Sequence, residues 1–148
     1  MSTETTHTPI EAIEAFEAGA FRVGQVMRRL LAEHPGLPVF YFRPSVKVTA
    51  WLDDDPADTE LALQFSARTA DGVRAWAKAL DVATESEVKD WPVIGDPEAL
   101  ADYVEIDTVI YGVRLVITGS SDLTAEEAAA WRAVREQAAG DVPAGGGQ

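Results

Sequence analysis

Three groups of side chains in this sequence could do chemistry: the acidic run Asp53-Asp54-Asp55-Pro56-Ala57-Asp58, the histidines His7 and His34, and the strand-spaced pair Glu105 and Asp107. The acidic run offers oxygen ligands for calcium, but the spacing fails. An EF-hand register begun at Asp53 wants Asp or Asn, Gly and Glu where the chain has Ala57, Asp58 and Gln64. A solvated hairpin tip accounts for the same residues. His7 lies in a polar start, and His34 precedes Pro35-Gly36, where a helix should end and its dipole favours a protonated imidazole. No nucleophile elbow accompanies either histidine. Glu105 and Asp107 share one face of a strand, as a two-carboxylate site requires. Alternation demands polar residues on a solvent face anyway, and no third group joins them. Neither G-x-x-x-x-G-K-[ST] nor G-x-G-x-x-G occurs, and cysteine is absent, which removes thiol nucleophiles and thiolate metal sites. The expectation is no catalytic residue, no metal ligand set and no cofactor.

The elements that must position whatever remains are organised around Thr59 to Val82. Leu61, Leu63, Phe65 and Ala67 alternate with Glu60, Gln64, Ser66 and Arg68, the period of a half-buried strand. After Asp71-Gly72 the period lengthens, with Val73, Trp76, Ala77 and Leu80 on one helical face. A helix folded across the sheet hides both apolar faces, with Trp76 as the largest piece of the core. Upstream, Thr8-Pro9-Ile10-Glu11 has the form of a helix start. The helix after it carries Ile10, Ile13, Phe16, Ala20, Val23, Met27, Leu30 and Leu31 at spacings of three and four, interrupted by Gly19 and Gly24. Val39 to Phe42 reads as a short strand apolar on both faces, Arg43-Pro44-Ser45 as a turn, and Val46 to Leu52 as a second strand.

Downstream, Ala83 to Trp91 reads as irregular and Asp96-Pro97-Glu98 as one helical turn. Tyr103 to Ile110 and Val113 to Thr118 form a hairpin about Tyr111-Gly112, with Val104, Ile106, Val113, Leu115 and Ile117 on its core face. Thr124-Ala125-Glu126-Glu127 is a capping box opening a last helix with Ala128, Trp131, Val134 and Ala138 inward. Residues 1–8 are expected to be a flexible start, 9–139 one domain and 140–148 a disordered Gly-rich tail. The fold class expected is α+β, a two-layer, mostly antiparallel sheet of four to five strands with helices packed on it, in the order α-β-β-β-α-β-β-α.

The chain of 148 residues is long enough to bury roughly 70% of its unfolded surface as one domain. A formal net charge of -13 argues against direct binding of nucleic acid, which needs clustered Lys and Arg, and against anionic membranes. No apolar run approaches the roughly 20 residues of a membrane span. The polar start lacks the basic and apolar segments of a signal peptide, so a cytoplasmic location is the default expectation.

In element order, size and acidity, residues 9 to 139 resemble the class I type III secretion chaperone-like fold. That resemblance implies a small, acidic, usually dimeric protein that binds partner polypeptides, and it carries no functional residues with it. Tyr41, Trp51 and Val116, apolar residues on outward-facing strand positions, are the candidate partner-binding positions. The expected function is therefore a non-enzymatic protein-binding or chaperone-like module, whose partner is another protein or a second copy in a homodimer. The alternatives are an acidic nucleic-acid mimic that inhibits a DNA-binding protein, and a small-ligand binder or enzyme whose pocket sequence does not reveal.

Overall fold

A computed structural model describes residues 9–49 and 58–140. The elements in chain order are α1 (Pro9–Glu33), β1 (Tyr41–Thr49), β2 (Asp58–Arg68), α2 (Ala70–Leu80), β3 (Glu85–Asp90), β4 (Leu100–Ile110), β5 (Val113–Asp122) and α3 (Ala125–Gly140). The fold is α+β: five strands form one open sheet in the order β1-β2-β5-β4-β3, antiparallel except where β2 meets β5. Among the described residues no helix is long and apolar enough to cross a membrane. The expected flexible start, Thr8 as a cap, the acidic loop, Trp51 and the Gly-rich tail beyond Gly140 lie outside the described residues.

The strand count agrees with the periodicity but the distribution differs, giving α-β-β-α-β-β-β-α. The turn expected at Arg43-Pro44-Ser45 is instead the middle of one strand, because β1 lies at the sheet edge, where a proline without an N–H is tolerated. Residues 85–90, expected to be irregular, form the opposite edge strand β3. Its residues are polar because the strand is held by the backbone ladder and buries little, so no alternation marks it. The sheet is mostly antiparallel, as expected, and β2 with β5 is its one parallel pair. The chain returns through α2, β3 and β4 before β5 inserts beside β2, the long connection that parallel pairing requires. At Asp96 there is a bridged turn with Val93 rather than a helical one, in which the Asp96 carboxylate accepts from the Glu98 N–H at 3.2 Å.

The hairpin at Tyr111-Gly112 forms as read, with Ile110 opposite Val113 and positive φ at both turn residues, 53° and 78°. The capping box at Thr124 also forms: the Glu127 N–H donates to Thr124 Oγ1 at 3.1 Å, and the Thr124 N–H to Glu127 Oε1 at 3.3 Å. Thr69 caps α2 by accepting from the Gly72 N–H at 3.0 Å. The inward positions expected on α3 are not all filled. Ala128 is buried, but Val134 is 67% exposed, and Trp131 meets only the margin of the sheet near Asp90 and Leu100.

The core lies between one sheet face and the helices α1 and α2. Leu63, Phe65, Val104, Ile106, Val113, Leu115 and Ile117 face Val23, Leu30, Val73 and Trp76, all at most 1% exposed. Helix α1 runs unbroken through both glycines. A Cβ at Gly19 would stand 2.8 Å from both Leu61 and Val46, so glycine there lets the helix lie against β1 and β2. Gly24 faces open space. Gly119 of β5 lies against the backbone of Thr69 and the Val73 side chain, where α2 begins.

Trp76 is wholly buried, meets the ring of Phe65 edge-on at 5.0 Å and that of His34 at 5.6 Å, and donates its indole N–H to the Pro38 carbonyl at 2.8 Å. Urea unfolding should therefore show Trp76→Ala losing about 3 to 5 kcal/mol. Trp76→Phe should lose less, retaining most of the apolar burial but orphaning the Pro38 carbonyl. Similar losses for the two would mean that ring volume is not what matters. The glycines should part in sign. Gly24→Ala should gain up to about 1 kcal/mol from helix propensity, and Gly119→Ala should lose about 1 to 3 kcal/mol from overpacking. Shifts of one sign in urea midpoint would contradict this packing.

Candidate partner-binding surface

Helix α1 touches the rest of the molecule along two flanks. On one, near its C-terminal half, Arg22 donates to the Tyr111 carbonyl at 3.1 Å and the Arg29 guanidinium lies 3.9 Å over the Tyr111 ring. Arg29 also donates to Glu33 at 2.8 Å, and that hydrogen bond holds the Glu33 carboxyl below the usual carboxylate range. The Tyr111 hydroxyl reaches the same carboxylate at 3.4 Å. This latch ties the helix to the β4–β5 turn. It leaves the other flank of α1 facing outward over β1.

That outward flank is apolar. Ile10, Ile13 and Phe16 are 67, 56 and 50% exposed, although the helical spacing placed them with the core. The buried positions are Gly19, Val23, Val26, Met27 and Leu30, so the apolar arc of α1 is wider than its contact with the sheet. Below it, Phe42 of β1 is 57% exposed, and Phe40 just before the strand 67%. Of the stretch Val39 to Phe42, expected to be covered on both faces, Val39 packs against the core, while Phe40, Tyr41 and Phe42 stay exposed among the described residues.

Between these surfaces runs a groove of about 350 Å³. Phe16, Ala20, Gly24 and Met27 form its helical wall, and Phe42, Pro44 and Val46 form its strand wall. Val23 and Leu63 make the floor, and Arg28 is the one charged residue on the rim. The strand wall is the sheet's edge: β1 pairs with β2 alone, and its second backbone edge has no strand beside it among the described residues. An apolar trough beside an unpaired strand edge can take an extended chain, which gains backbone hydrogen bonds from the edge and places alternate side chains in the trough.

The opposite face of the sheet carries two of the three positions expected from sequence. Register puts Tyr41 beside Ser66 and Thr118, and Val116 between Gln64 and Asp107, all on the face away from α1 and α2. Tyr41 is 51% exposed and Val116 half-buried. They share a face but do not line the groove, and Trp51 lies outside the described residues. Groove positions such as Gly24, Pro44 and Met27 were not singled out from sequence. The apolar residues of α1 from Ile13 on form one broad stripe, which does not mark which of them the sheet covers.

Charged groups on this second face engage one another where β4 and β5 meet and at the β3 edge. Arg114 grips Asp107 through two hydrogen bonds of 3.0 and 2.7 Å, which hold that carboxyl below its ordinary range. Lys89 lies 4.0 Å over the Tyr103 ring. Burial pushes the Tyr103 phenol up, with smaller contributions from Glu105 and Tyr41. His34 packs on Trp76 at the end of α1, and Glu105 and Asp107 stay on the outer sheet face. Among the described residues no group of three or more His, Cys, Asp or Glu is placed to hold a metal ion. Comparison of the chain with known protein families, characterised proteins and solved structures finds no match.

Proposed function

We propose that this protein is a polypeptide-binding module that works without catalysis, taking an extended apolar segment of a partner protein into the groove between α1 and the free edge of β1. The observation that carries this reading is the coincidence of an apolar trough with an unpaired strand edge. Backbone hydrogen bonding to the edge would supply affinity, and alternate side chains seated against Phe16, Met27 and Phe42 would supply selectivity. Pro44 presents no N–H and Lys47 a charge, two features that restrain indiscriminate pairing of edge strands. Small size and acidity, shared with the class I type III secretion chaperone-like proteins that the sequence resembles, support the same kind of activity. The chain's different distribution of strands leaves that resemblance on size, charge and element inventory alone.

A displayed library of random peptides, panned against the full chain and followed by titration calorimetry, tests this. Enriched peptides should carry apolar residues at every second position. Gly24→Leu, whose Cβ has no atom within 4 Å and whose longer side chain occupies the groove, should weaken them at least tenfold while leaving the unfolding midpoint at or above that of the unaltered chain. Val134→Ala on α3 should not change binding. If no peptide is enriched, or if Gly24→Leu binds undiminished, the groove is not the site.

A further inference from the structure

We infer that the sheet face opposite the helices is a docking surface for a second copy of this chain. This rests on the order of charge across that face, independently of the groove. Register puts Arg43 and Lys47 of β1 and Arg114 of β5 on it with two carboxylate positions, Asp58 and Glu60 of β2. The β3 and β4 half bears Glu85, Glu87, Glu105 and Asp107 with one cation, Lys89. One half is thus cationic in majority and the other anionic, in a chain whose net charge is -13. A uniformly basic partner would meet Arg43 and Arg114, and an acidic one would meet the glutamates. A second copy fits both halves: a two-fold axis lying between the two sheets, perpendicular to the line joining the poles, sets the cationic half of each copy on the anionic half of the other.

Apart from Arg114 and Asp107, which pair with each other where the two halves meet, the charges are available for such pairing. Within one copy Lys47–Glu60 and Lys89–Glu87 are long contacts of 4.0 and 3.9 Å between exposed groups, and Arg43 and Glu85 have no ion-pair partner among the described residues. Between the poles lie Ala62 and Val116, with Tyr41 on the cationic edge strand and Tyr103 within the anionic half, and these supply apolar contact. Five strands of 6 to 11 residues, about 4.8 Å apart and rising about 3.3 Å per residue, span a face of roughly 24 by 30 Å. With side-chain relief that approaches the roughly 800 Å² per partner of a standard interface. Sheets packed face to face in this way stand about 10 Å apart. Because α1 lies on the other side of the sheet, both grooves stay open in the pair.

Sedimentation of the full chain with charge-swapped variants tests the arrangement. The unaltered protein should sediment at twice the 15.9 kDa of one chain, with a dissociation constant that rises with salt. The pair Arg43→Glu with Lys47→Glu, and separately the pair Glu85→Lys with Glu87→Lys, should each weaken self-association at least tenfold. Both should keep the unaltered circular dichroism spectrum, since all four side chains are solvent-facing. Mixing the two variants should restore the dimer, because opposite charges then face each other at both ends of the interface. An unaltered chain that is monomeric at high micromolar concentration, a dimer indifferent to both pairs, or a failure of the mixture to recover would each overturn the proposal.

Discussion

The hydrogen bond from the buried indole of Trp76 to the Pro38 carbonyl is the contact on which the arrangement depends. It joins α2 to the connector between α1 and β1, while the same ring meets His34 at the end of α1 and Phe65 of β2. The end of α1 with its connector, β2 and α2 are thus referred to one rigid side chain. A ring of this size repays its ordering by the apolar area it removes from water, and a single well-placed acceptor removes the penalty for burying its N–H. The direction in which the chain leaves α1 and enters β1 follows from that acceptor.

Two consequences reach the surface. With the C-terminal half of α1 fixed by Trp76 and by the latch at Tyr111, the helix lies over β1 and β2, and its outer apolar flank overlooks the sheet edge instead of the core. With both α1 and α2 on one side, the other side of the sheet is left to polar and charged residues ordered by strand. The molecule therefore has an apolar groove on one side and a charge-ordered plane on the other. The two edge strands are also unlike: β1 carries exposed aromatics and β3 carries glutamates. Apolar side chains at an edge are the usual mark of a surface that pairs.

Sequence made much of this legible, for reasons that can be named. The alternation in Leu61 to Ala67, the switch of period at Gly72, the Tyr111-Gly112 turn and the capping box at Thr124 are local signals, and each element formed where its signal lay. The strand at Glu85–Asp90 was hidden because an edge strand buried on neither face needs no alternation. Pro44 read as a turn because its ring says nothing of whether its missing N–H would have faced a neighbour or solvent. The groove was hidden for a different reason. Ile13, Phe16 and Met27 share a helical stripe with Val23 and Leu30, and only the tertiary tilt of α1 decides which of them the sheet covers. Tyr41 and Val116 were recognised as outward-facing because strand periodicity is strict, whereas the charge order around them depends on which strands become neighbours.

The claim that β1 accepts a partner strand is tested most directly by amide hydrogen exchange of the full chain, with and without a peptide selected on it. If the account is right, the peptide slows exchange in Tyr41–Thr49 and leaves the opposite edge, Glu85–Asp90, unchanged. Protection confined to β3, or binding without any slowing in β1, would contradict it.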